Sequence, residues 1–194
     1  MLTLWDLIEP VAKRLDLRPP PTRAISPPSP PAAPPPRKRR SPSRPDGMQA
    51  RYDAVVQEML RTYGIRVRKW RTSMSGVAWT VTYADGRVSR LIESPRPRGP
   101  MSAAIFLHEV GHHAIGIGRY RPRCLEEYHA WAWSLQQMEA HGLNITDAVR
   151  YRMHASLHYA VAKALRRGIK DLPPELAPYM TRPPRRPKRT GART

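Results

Sequence analysis

Only one cysteine, Cys124, stands in a chain of 194 residues, so no intramolecular disulfide can staple the fold, and such thiol usage fits a reducing compartment. No run of residues is apolar enough to cross a bilayer. The opening MLTLWDLIEPVAKRL carries acids early and has no cationic start, long apolar run or small-residue cleavage site. It therefore does not read as a secretion signal, and a cytoplasmic location is the expectation. Acidic residues are scarce. Fifteen Asp and Glu face 34 Lys and Arg, for a formal charge of +19, and a surface of that sign favours polyanions. The basic tracts at 37–44 and 182–193 contain no aromatic residue for base stacking, so any nucleic-acid contact there would rest on phosphate neutralisation and counterion release. The same charge also keeps a chain soluble without any such partner. No internal repeat is present.

Proline is abundant, at 23 residues, and concentrates in 19–45 and 173–187. Missing N–H donors and a fixed φ argue against packed elements in both stretches. The expected organisation is a short amphipathic helix at 1–17, striped by Leu4, Leu7, Ile8, Val11 and Leu15. A disordered basic linker at 18–47, one folded domain at 48–171 and a disordered basic tail at 172–194 follow. Within the domain, Tyr52, Val55, Val56, Met59 and Leu60 recur at helical spacing and Gly64 follows, predicting a helix over 48–63. Alternating, β-branched segments at 65–70, 77–83 and 88–92 are separated by turn-forming residues 73–76 and 84–87, which predicts three short antiparallel strands. Three helices are expected next: 102–116 capped by Ser102, 125–141, and 146–167 capped by Asn144 or Thr146 and ended by Gly168. The fold class is α+β, a small antiparallel sheet with a helical core between disordered basic, Pro-rich tails.

The helix expected at 102–116 carries His108-Glu109-Val110-Gly111-His112, the pattern H-E-x-x-H. On a helix, residues four apart share a face, so His108 and His112 can aim ring nitrogens at one ion, zinc being the expected one. Glu109 lies beside the pair, where a carboxylate can take a proton from an activated water and pass it to a leaving amine. Catalytic zinc usually takes three protein ligands, and the next helix offers Glu126, Glu127 and His129. On a helical wheel Tyr128, Trp131, Ala132, Leu135 and Met138 form the inward face. Glu127 borders that face, whereas Glu126 and His129 fall toward the polar side, which favours Glu127 and leaves the other two as alternatives. Glu126 there reads as complementing the helix dipole. His113 points away from the pair, Cys124 is a weak ligand candidate, and His154 and His158 read as half-buried structural histidines.

The segments H108-E-V-G-H-H-A-I-G and E127-Y-H-A130-W-A-W-S resemble the HExxH…ExxA pattern of gluzincin-type metallopeptidases, most closely the ImmA/IrrE family. The resemblance spans roughly residues 48–138. It implies a zincin-like fold, zinc held by His108, His112 and Glu127, Glu109 as the catalytic residue, and a regulatory protein such as a repressor or antitoxin as target. Two departures stand out: Trp131 occupies a position where the relatives usually have Asn or Asp, and no helix-turn-helix signal accompanies the domain. Glu139 or Asp147 are the substitutes for the missing support of a ligand histidine.

The function expected is a zinc-dependent metalloendopeptidase acting on a protein or peptide substrate, with the last strand, 88–92, offering a free edge for an extended chain. The alternative is a basic nucleic-acid-binding domain with an inactive or structural zinc site. Glu109 separates the two, because a purely structural site has no use for an acid there and normally closes all four positions.

Overall fold

A computed structural model describes residues 47–183; the expected helix at 1–17, the Pro-rich tract at 19–45 and residues 184–194 of the expected tail lie outside the described residues. The order of elements is α1 (Gly47–Tyr63), β1 (Ile65–Arg71), β2 (Val77–Thr82), β3 (Val88–Pro95), α2 (Pro100–Ile115), α3 (Arg123–Ala140), α4 (Asp147–Arg166) and a 3₁₀ turn (Pro174–Tyr179). This is an α+β arrangement, and none of the described helices is long and apolar enough to cross a membrane.

Periodicity set the helices. Tyr52, Val55, Val56 and Met59 of α1 are buried as one stripe, and the chain leaves the helix through Gly64 at φ 60°, a conformation glycine adopts without a Cβ penalty. Thr146 caps α4, its Oγ1 accepting from Val149 N at 3.4 Å. Contrary to expectation, Ser102 does not cap α2 from outside. The helix begins at Pro100, and Ser102 bonds backward from within the first turn, accepting from Arg98 N at 2.9 Å and donating to Gly99 O at 3.0 Å.

The sheet departs from the expected antiparallel meander. Its order is β1-β3-β2; β1 runs parallel to β3, and only β2 pairs with β3 in antiparallel fashion. The segment joining β1 to β2 is therefore a crossover rather than a hairpin turn. The true hairpin is β2–β3, closed by Gly86 N to Tyr83 O at 3.0 Å and by Asp85 Oδ1 accepting from Arg87 N at 3.0 Å. Being central, β3 has no free edge, and the edge expected at 88–92 belongs instead to β1 and β2. The second half of β3, Ile92, Glu93, Ser94 and Pro95, is a continuous buried run, whereas Val88 to Leu91 are exposed or half-buried. Glu93 survives there because Arg68 Nη1 at 2.6 Å and Arg71 Nε at 3.0 Å hold its two oxygens.

Helix α2 is the axis of the core. Every residue from Ser102 through His113 is buried, the mark of a helix covered on all sides. The sheet covers one side and α3 the other, drawn close at Gly111, where a Cβ would stand 2.9 Å from Ala130 O. Ser134 Oγ locks the pair by donating to Ala104 O at 2.8 Å. The expected domain boundary at 171 falls inside the packed body. The turn Pro174–Tyr179 sets Leu176 into a cluster with Cys124, Val161 and Ala164. Pro173 and Pro174 suit the start of that turn, where no N–H is required, and Pro178 lies inside it near its end.

Candidate metal centre

The motif histidines sit one helical turn apart on α2, buried at 7% and 3% exposure for His108 and His112. Helix α3 returns beside them and brings in Glu127, whose Oε2 lies 3.3 Å from His108 Nε2 and 3.6 Å from His112 Nε2. A tetrahedral ion with bonds of about 2.0–2.2 Å sets its ligand atoms about 3.3–3.6 Å apart, so both spacings suit one ion. The three form a group able to hold a metal ion. No fourth His, Cys, Asp or Glu joins it among the described residues.

The charges of the three groups are coupled. Burial keeps the His108 imidazole from charging. Glu127 is held well below the usual carboxylate range despite partial burial, because both histidines bond to it. Burial works against a charge on His112, yet the Glu127 carboxylate lifts its pKa above the ordinary value. Arg123 Nε holds the other Glu127 oxygen at 3.2 Å, turning Oε2 to the histidines.

Glu126 stands where the wheel did not put it. Rather than facing the polar side, it is fully buried, with 0% exposure. Its Oε1 pairs with His112 Nδ1 at 3.2 Å and its Oε2 accepts from Gly118 N at 2.6 Å. The loop after α2 folds over the start of α3 and covers it. A carboxylate on Nδ1 places the proton there and frees Nε2 as a ligand, so Glu126 supplies the support that Glu139 or Asp147 was expected to give. Trp131 stacks on His108 with ring centroids 4.5 Å apart and planes inclined at 26°. It fixes that ring by packing, while His108 Nδ1 has no hydrogen-bond partner among the described residues.

Glu109 is 5% exposed, and burial pushes its carboxyl up to about 7. Gly76, in the β1–β2 crossover, lies directly against it: a Cβ there would fall 2.6 Å from Glu109 Cδ. Sequence reading missed this glycine because 73–76 resembled an ordinary turn. The remaining candidates have other duties. His113 Nε2 meets Leu91 O at 3.1 Å, His154 Nε2 meets Thr181 O at 3.0 Å, and His158 Nδ1 meets Tyr179 O at 3.0 Å. His129 stacks on Tyr120 at 4.1 Å, and Cys124 is buried in the small cluster under Leu176.

The group opens into a cleft of about 940 Å³, walled by Gly76 to Ala78 on one side and by α4 from Arg152 to Arg167 on the other. The chain matches no protein-family model, no curated protein and no solved structure.

Proposed function

We propose that this chain is a zinc-dependent metalloendopeptidase that hydrolyses peptide bonds of a protein substrate, a gluzincin resembling the ImmA/IrrE family. One observation carries the reading: a buried carboxylate, Glu109, adjoins a His108-His112-Glu127 donor set at the floor of a cleft. Zinc held by those three residues supplies Lewis-acid polarisation and lowers the pKa of a water toward about 7.

The protein's own residues supply the rest. Glu109, buried beside the ligand pair, is positioned to accept a proton from the attacking water and return it to the leaving amine. Glu126 keeps His112 in the tautomer whose Nε2 faces the site, and Arg123 keeps Glu127 Oε2 turned inward. Gly76 leaves room for the Glu109 side chain. An extended substrate is expected to add to the free edge of β2, whose first residues line the cleft, by main-chain hydrogen bonds.

The test is metal content beside hydrolysis of an unstructured protein. The wild type is expected to carry about one zinc per chain, lost in His112→Ala and Glu127→Ala. Glu109→Gln is expected to keep zinc and lose hydrolysis. Hydrolysis surviving in zinc-replete Glu109→Gln would overturn the mechanism. A chain that takes up no zinc under any loading returns the assignment to a basic nucleic-acid-binding domain.

A further inference from the structure

We infer that the cleft selects acidic peptides, with Arg152, Lys163 and Arg167 in one row along α4 receiving Asp or Glu side chains of the substrate. The inference rests on the peptidase reading and names its substrate class. Positions 152, 156, 160 and 163 of α4 and its C-cap residue 167 recur at three- and four-residue spacing, so they share one face of the helix. Its charge is uncompensated. None of the three cations is paired with a carboxylate among the described residues. The two acids in the cleft are committed elsewhere, Glu127 to both histidines and Arg123 and Glu109 beneath Gly76.

Arg152 adds an independent sign. It reaches across to the β1–β2 crossover, where one Nη donates to Met74 O at 3.0 Å. Its Nε is buried without a hydrogen-bond partner among the described residues. A buried N–H left unpaired is costly and is satisfied when an oxygen acceptor enters. A carboxylate is the acceptor best matched to a guanidinium.

The dimensions suit a peptide. At about 1.5 Å per residue, Lys163 and Arg167 stand roughly 16 and 22 Å along the helix from Arg152. An extended chain advancing about 3.4 Å per residue covers that row with roughly five to seven residues. The opposite wall is the β2 edge, whose N–H and C=O groups match a peptide backbone and offer nothing in register for a sugar-phosphate chain. That favours an acidic peptide over nucleic acid.

The experiment measures binding to the full chain carrying Glu109→Gln, zinc-loaded, at physiological salt, so that cleavage does not interfere. The probes are a fluorescein-labelled alanine-glutamate peptide, its glutamine counterpart and a labelled single-stranded DNA. Lys163→Glu with Arg167→Glu is compared with Arg166→Glu plus Lys170→Glu. The second pair changes net charge equally, at exposed α4-end residues outside the cleft wall. The expected result is about a tenfold loss of glutamate-peptide affinity in the first pair and less than about twofold in the second. Equal losses in both pairs, or none in either, overturn the inference, since the charge then acts globally or not at all. Selective loss of DNA binding with the peptide unaffected also overturns it, in favour of a nucleic-acid groove. Wild-type protein that never hydrolyses peptide while the binding pattern holds would instead sink the peptidase reading and leave the acidic-peptide site standing.

Discussion

Replacing Glu126 by Gln removes one oxygen and changes the proton logic of the whole centre. The wild-type carboxylate accepts twice, from the His112 ring at 3.2 Å and from Gly118 N at 2.6 Å. Glutamine has one oxygen and one NH₂ to offer those two donors. If the oxygen stays with Gly118, the NH₂ faces His112 Nδ1 and forces that nitrogen to accept. The proton then moves to Nε2, which can no longer ligate. If the oxygen turns to His112, Gly118 N–H is left unpaired against an amide NH₂, and an unsatisfied buried donor costs about 1–3 kcal/mol. Either way the metal-competent state is disfavoured. Losing such a partner typically weakens metal affinity by about 10–100-fold, or about 1.4–2.7 kcal/mol. Glu126→Ala orphans both donors and leaves a void, so it should fall at the upper end and also lower the unfolding temperature of the metal-free protein. Competition with a chromogenic zinc chelator measures the affinity and thermal unfolding without metal measures the fold. A Glu126→Gln protein that holds zinc as tightly as the wild type refutes the claim that Glu126 sets the His112 tautomer.

Gly76→Ala should retain zinc yet lose about 100-fold in kcat, because the added methyl occupies the space of the Glu109 carboxylate and misplacement of a reacting group by about 1 Å costs that much; wild-type turnover in a zinc-replete variant would refute it. Gly111→Ala places a Cβ 2.9 Å from Ala130 O, and overpacking of this kind is expected to destabilise by about 1–3 kcal/mol, read as an earlier denaturation midpoint with an unchanged slope. Glu93 has its pKa lowered below 4.5, first by its bond with Arg71 and also by Arg68, with burial opposing. A lowered folded-state pKa contributes stability that is present above the unfolded value and lost as pH falls through the folded one. Glu93→Gln should therefore be less stable than the wild type at neutral pH, with the gap closing in acid, as thermal melts across a pH series would record.

The elements legible in the sequence were those governed by local periodicity. Each helix among the described residues ended within a few residues of its expected position because a stripe of apolar residues and a terminal glycine or hydroxyl are read from neighbours in the chain. The order of strands is a different kind of fact. Whether 65–71 pairs with 77–82 or with 88–95 depends on contacts between distant segments, and the crossover at Ser73 to Gly76 has the composition of a turn. The one hint lay in β3, where Leu91 and Ile92 run straight into Glu93 and Pro95; an acid and a proline disguised a buried central strand as a strand ending in a loop. The grouping of His108 and His112 with Glu127 was legible because H-E-x-x-H fixes its geometry on one helix and a third donor needs only a neighbouring face. Glu126 was not, since a wheel treats a helix as a cylinder with one inward side. The first turn of α3 is enclosed on a further side by the loop through Gly118, and that loop's N–H is what makes burial of a carboxylate tolerable there. An acid in the first turn of a helix, next to a ligand candidate and opposite a glycine-bearing loop, is therefore better read as a possible buried support than as dipole complementation. The two roles predict opposite responses: an exposed dipole partner replaced by Gln loses a few tenths of a kcal/mol and keeps its metal, whereas Glu126→Gln is expected to lose the metal first.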